Sequence, residues 1–259
     1  MNLPVLNTPN HEMTIPSTGE KVTYRPFLVK EQKILMMAQE SGDETHMIRS
    51  IGDIVKSCTF GKIDNPNKLP TFDLEYMFLM IRAKSVGSEI ELKVTCPDDE
   101  ETVVDYKINL DDIKVQHTEG HNKQIMLTDE IGLEMNYPSM EMVRGFAVDN
   151  AKITELSFEL IRNTIKNVFD KEQVYDEMSA KDLDNFIEQM TTEQFEKVSK
   201  FFETMPKLSH TVNVTNPNTG GTLLRSCVLI EFLKISDRLS SRDFLSPPIP
   251  SLARFLNFL

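Results

Sequence analysis

Apolar positions recur along the chain with two periods, and they are densest over residues 69–110. Leu74, Met77, Phe78 and Ile81 stand at i, i+3, i+4 and i+7, while Tyr76, Leu79 and Met80 fill the opposite side. That spacing predicts a helix covered by protein on most faces. After Gly87 the period drops to two: Ile90, Leu92 and Val94 alternate with Glu91, Lys93 and Thr95. The run CPDDEE turns the chain, and Val104, Tyr106 and Ile108 return on one face, which predicts a hairpin. Short extended pieces between Ile113 and Tyr137 lead us to expect a small antiparallel sheet over residues 87–137, covered by the helices on either side.

The flanks repeat the two patterns. Met13, Ile15, Val22 and Tyr24 alternate with polar residues around the turn Ser17 to Glu20, a second predicted hairpin. LVKEQKILMMAQES reads as a helix with Ile34, Leu35, Met37 and Ala38 on its buried face, stopped by Ser41 and Gly42. Met47, Ile48, Ile51, Ile54, Val55 and Cys58 make the stripe of the next helix, and Thr71 is the expected cap of the central one. From Ser139 the chain turns helical: Leu156, Leu160, Ile161, Ile165, Val168 and Phe169 predict one long amphipathic helix. Ser179 with Asp182, and Thr191 with Gln194, cap two more, the second ended by Pro206. LSHTVNVTNP reads as a strand, NTGG as a turn, and the apolar run from Thr219 as helical, followed by a stiff SPPIPS. The expected class is α+β, a small antiparallel sheet packed by helices with a helical C-terminal half. Its expected organisation is an α+β domain over 1–138, a helical region over 139–218 and an extension over 219–259.

Composition adds limits. With 259 residues, 40% apolar and 26% charged, the chain can bury a core without staples. Cys58, Cys96 and Cys227 are too few and too scattered for a disulfide framework, which fits a reducing compartment. MNLPVLNTPN lacks a basic and an apolar leader region, and no run reaches the roughly 18 apolar residues of a membrane span, so a soluble cytosolic protein is expected. Residues 1–218 carry 23 Lys+Arg against 37 Asp+Glu, whereas residues 219–259 carry 5 against 3. An acidic body disfavours nucleic acid, whose binding rests on Lys and Arg displacing counterions.

Candidate chemistry is thin. His117 and His121 have the spacing of a helical metal pair, but Gly120 and extended flanks make them solvated loop histidines. Cys96, Pro97, Asp98 and Asp99 stand where a zinc knuckle would begin, yet one Cys followed by carboxylates reads as an acidic turn. Asp98/Asp99, Glu100/Glu101 and Asp111/Asp112 are neighbours in hydrated turns, where nothing raises a carboxyl for acid catalysis. SIGDIVK and NTGG lack the pattern of a phosphate loop, and Asn213 to Thr215 is a sequon without a secretory context. We therefore expect no enzyme, no metal and no cofactor; the alternative from another class is a metal-binding or substrate-using enzyme. Met36/Met37, Met77/Met80 and Met140/Met142 are either core filling or adaptable contact surface. Phe255, Leu256, Phe258 and Leu259, after the proline linker, are candidate partner-binding residues, with docking and disorder both open.

The segments MTIPSTGEKVTYRPFLVKEQKILMMAQES, TFDLEYMFLMIRAKSVGSEIELKVTCP and EQFEKVSKFFETMPKLSHTVNVTNPNTG together resemble the baseplate hub proteins of T4-like contractile-tailed phages, over about residues 3–219. The resemblance implies a virus-encoded, non-enzymatic protein that assembles the central hub beneath the tail tube through contacts with other hub proteins. It would be found in the host cytoplasm during assembly and, as a structural part, in the virion baseplate. PSTGEKVTYRP followed by an acidic helical body also resembles tail assembly chaperones, which hold the tape measure protein and are made in short and frameshifted forms. The likeness to hub proteins stops near Gly220, so residues 221–259 read as a frameshift extension or an unrelated addition. Homo-oligomerisation is left open.

Overall fold

The computed structural model of the chain describes residues 6–96, 99, 101–143 and 153–228. Two units result: one from residues 6–116 together with 207–228, the other from residues 117–206.

The first unit opens with the predicted hairpin, β1 (His11–Thr14) antiparallel to β2 (Lys21–Tyr24), whose Met13, Val22 and Tyr24 are buried. Helices α1 (Val29–Ser41) and α2 (Glu44–Cys58) follow, and α2 buries Ile51, Ile54, Val55 and Cys58 as the stripe predicts. Helix α3 (Thr71–Val86) buries Phe72, Leu74, Met77, Phe78, Leu79, Ile81 and Ala83, so it is covered on most of its faces. Thr71 is its first helical residue; Pro70 holds the cap position and offers no side-chain hydrogen bond, a correction to the expected cap. The hairpin turn docks at this end instead. The Ser17 amide donates to Asp73 Oδ1 at 3.0 Å and its hydroxyl donates to Oδ2, which places a carboxylate in the first helical turn, where the helix dipole favours it.

Strand β3 (Glu89–Thr95) pairs with β4 (Val103–Asn109), with Ile90 opposite Ile108 and Leu92 opposite Tyr106. Strand β5 (Lys114–Gln116) then leaves that hairpin. In the second unit β6 (Gln124–Met126), β7 (Gly132–Met135), β8 (Ile165–Phe169) and β9 (Val174–Tyr175) form an antiparallel sheet in that order; α4 (Met140–Val143) and α5 (Ile153–Thr164) lie between β7 and β8 in the chain. Helices α6 (Ala180–Glu188) and α7 (Thr192–Thr204) begin with the two predicted capping boxes, Ser179 with Asp182 and Thr191 with Gln194. The chain returns to the first unit as β10 (Lys207–Thr215), pairs Ser209 with Lys114 of β5, turns at Gly220 (φ 73°), and ends the described part as β11 (Thr222–Val228). Leu79 and Ala83 of α3 pack with Ile90, Ile108, Leu110, Ile113 and Leu208 in the core of this unit.

The α+β class holds, with the pairings spread over four small sheets among the described residues. Three local expectations are corrected. The long helix stops at Thr164, whose hydroxyl donates to the Leu160 and Ile161 carbonyls; Ile165 to Phe169 becomes β8 because its backbone pairs with β7. Residues 222–228 are strand, since β10 offers an edge that a helix would leave unpaired. In α1, Ile34 and Met37 face outward, and Glu31 and Ala38 are the buried residues.

A glycine fixes the approach of the turn before α3. A Cβ on Gly52 would lie 2.5 Å from Oδ1 of Asn67, an atom already buried with no hydrogen-bond partner among the described residues. Gly52→Ala is expected to lower stability by about 1–3 kcal/mol in urea unfolding, and Asn67→Ala in the same chain to restore most of it. Equal unfolding midpoints for Gly52→Ala and the parent chain would refute this contact.

Candidate interaction surfaces

Helix α1 is held from beneath by charge. Burial alone would push the Glu31 carboxyl up, but hydrogen bonds from Arg25 (2.8 Å), the Leu28 amide (2.8 Å) and Ser57 (2.8 Å), with the charge of Arg25, bring it down to about 2. Arg25 also donates to the Pro26 carbonyl at 2.9 Å and to Ser57 at 3.1 Å. Cys58, beside this guanidinium, is pushed up to about 11 by burial, which leaves it a thiol. With Glu31 and Ala38 turned inward, the opposite face of α1 presents Val29 (81% exposed), Met36 (53%) and Met37 (53%). Of the three methionine pairs, this one is at the surface; Met77 and Met140 are buried.

The second unit carries a different apolar surface. Its sheet buries Leu133 and Val168, adjacent in the register, on one face. The other face ends in the rung Met126, Gly132, Phe169 and Val174, of which Met126 is 48% and Val174 60% exposed. A Cβ on Gly132 would lie 2.4 Å from the Phe169 ring and 3.0 Å from the Met126 sulfur, so both side chains lean over the glycine. Glu134, next on this face, accepts from Lys166 at 2.8 Å and Asn167 at 2.7 Å.

The candidate chemical residues resolve as follows. His117 is exposed, as expected, but His121 is not a solvated loop residue. Its ring packs against Tyr137 (5.7 Å between centroids) and Phe201 (5.1 Å), its Nδ1 meets the Thr204 hydroxyl at 2.9 Å, and burial lowers its pKa. The signal missed was Tyr137, whose partners lie far along the chain. Cys96 is a core residue of the first unit. Asp99 is a clasp rather than a hydrated carboxylate. The Thr102 hydroxyl donates to it, Asn216 donates to it at 2.9 Å, the amides of Thr102 and Glu101 add two further bonds, and together these lower its pKa. That clasp ties the β3–β4 turn to the β10–β11 turn. Asp98 and Glu100 lie outside the described residues, as do Phe255, Leu256, Phe258 and Leu259. Among the described residues no three His, Cys, Asp or Glu side chains group as metal ligands, and no helix is long and apolar enough to cross a membrane.

One carboxyl stands out by its setting. Glu75 on α3 is 7% exposed, and burial raises its pKa to about 8, so at neutral pH it is mostly protonated.

In the comparison with known families, a model described as T4 bacteriophage base plate protein matches residues 8–229. No curated protein and no solved structure matches the chain.

Two of the shifted carboxyls, Glu31 and Glu75, act on stability with opposite signs. For Glu31, lowered from 4.5 to about 2, the folded form binds its proton less tightly than the unfolded form, so its contribution is complete above pH 4.5 and is lost as pH falls towards 2. For Glu75, raised from 4.5 to about 8, the contribution is complete below pH 4.5 and is lost as pH rises through 8. Glu75→Gln should therefore remove a decline on the order of 1 kcal/mol per pH unit between those limits, and exceed the parent chain most at the alkaline end. Parallel stability curves for the two proteins over this range would contradict the assignment.

Proposed function

We propose, since the chain belongs to the T4 bacteriophage base plate protein family, that this phage base plate protein acts in building the central hub by adhesion to other hub proteins. The observation that carries the reading is the outward face of α1. Val29, Met36 and Met37 are displayed on a helix whose other side is locked to Arg25, Glu31 and Ser57, so the apolar face is presented without loosening the fold. Methionine side chains adapt to the shape of a partner, and a few apolar anchors supply most of the affinity of an interface. The work is contact between surfaces in the host cytoplasm, and the product is a hub in the virion.

A second reading, a chaperone that holds the tape measure protein, draws on the same pair Met36 and Met37, because an unbranched, polarizable surface suits a long apolar partner. Mass spectrometry of finished virions separates the two. A small fixed copy number supports the hub role; absence from virions together with improved solubility of a co-expressed tape measure protein supports the chaperone.

Met36→Glu with Met37→Glu tests the surface itself. Both positions are exposed, so the melting temperature should stay close to that of the parent, while recovery of hub subunits with the tagged chain should fall about thirtyfold, the equivalent of about 2 kcal/mol. Undiminished recovery of partners would remove α1 from the reading.

A further inference from the structure

The apolar rung of the four-stranded sheet lies next to two turns at one end of that sheet, residues 127–131 and 170–173, which Lys171 and Glu130 join at 2.7 Å. These turns hold four carboxylates, Asp129, Glu130, Asp170 and Glu172, against the ammonium of Lys171 and that of Lys197, which donates to the Leu127 carbonyl at 3.2 Å, so the border is acidic on balance. An exposed apolar rung bordered by negative charge suits an apolar segment that carries a positive one.

The chain contains such a segment. Residues 229–259 hold 4 Lys+Arg and 3 Asp+Glu, whereas residues 1–228 hold 24 and 37. Its last nine residues, SLARFLNFL, combine five large apolar side chains with Arg254 as their only charged side chain. The family match ends at residue 229, so residues 230–259 lie beyond the matched part of the chain. The 22 residues over 229–250 can extend to roughly 70 Å, a long tether for the segment that follows.

We propose that the rung of Met126, Phe169 and Val174 is the docking surface for residues 251–259 of the same chain, with Arg254 directed to the acidic turns. The segment covers an apolar surface that a protein inside a large assembly would otherwise expose to wrong partners, and it leaves the face of α1 to the hub.

The test uses the full chain with the photo-crosslinking residue p-benzoylphenylalanine in place of Val174, an exposed position in a two-residue edge strand. Irradiation should join position 174 to peptides from residues 251–259 within a product of single-chain mass. The same photo-crosslinking residue in place of exposed Val103 should not reach that segment. Arg254→Glu with Phe255→Ser should lower the yield about tenfold. Cross-links to any other segment, no cross-link, a yield indifferent to Arg254 and Phe255, or products of doubled mass would each overturn the proposal, the last by assigning the surface to a second copy.

Discussion

A helix whose apolar side chains point in most directions must be covered on most of its faces, and in the first unit that requirement governs the arrangement of the rest. Residues 71–86 meet it by burying seven large or small apolar side chains from Phe72 to Ala83: α2 and the returning β10 pack on α3, the β3–β4 hairpin shares its core through Ile90 and Ile108, and the turn of the N-terminal hairpin bonds to Asp73. The return explains why a chain with a second unit inserted at residues 117–206 still closes its first one: Leu208 completes the core that Leu79, Ile90 and Ile113 begin. Two carboxyls at the start of α3 show the cost of so much cover. Asp73 is matched by Ser17 and keeps its place in the helix's first turn; Glu75, two residues on, has its proton held by burial.

Local pattern was enough wherever local forces decide. The stripe of α2, the all-round burial of α3, the alternation of β3 and β4, and the capping boxes at Ser179 and Thr191 each depend on residues within one or two turns of one another, and each is found as read. The failures occur where a distant strand decides. Ile165, Val168 and Phe169 continue the helical period of α5, yet the backbone of β7 captures them as β8, and Thr164 closes the helix by bonding back to Leu160 and Ile161. The same competition turned an apolar run into β11. The setting of His121 is equally non-local: Tyr137, Phe201 and Thr204, which surround it, are 16 to 83 residues away.

Helix α1 failed for a different reason, and that failure bears on function. Its sequence, VKEQKILMMAQES, has enough apolar residues for a buried face, and choosing Ile34 and Met37 for that face follows from hydrophobicity alone. The structure turns the helix the other way because Glu31 is bound to Arg25, Ser57 and the Leu28 amide; a paired buried ion fixes rotation about the helix axis in a way that Leu or Met, which pack in many orientations, cannot. Departure of local pattern from structure at a polar anchor is what the proposed contact face would produce, since it leaves the methionines outward.

The two exposed apolar surfaces differ in the kind of partner they suit. The α1 face is set with flexible methionines and interspersed with Lys33 and Glu40, so it can accept a partner through many small adjustments. The rung on the sheet is narrower and firmer: Phe169 and Met126 are seated over Gly132, and the backbone beneath is fixed by antiparallel pairing on both sides. A firm surface whose border is acidic on balance discriminates by charge, whereas an adaptable one discriminates weakly and gains affinity from area. A base plate protein with both can hold one contact specific and constant while the other meets the subunit that assembly brings to it.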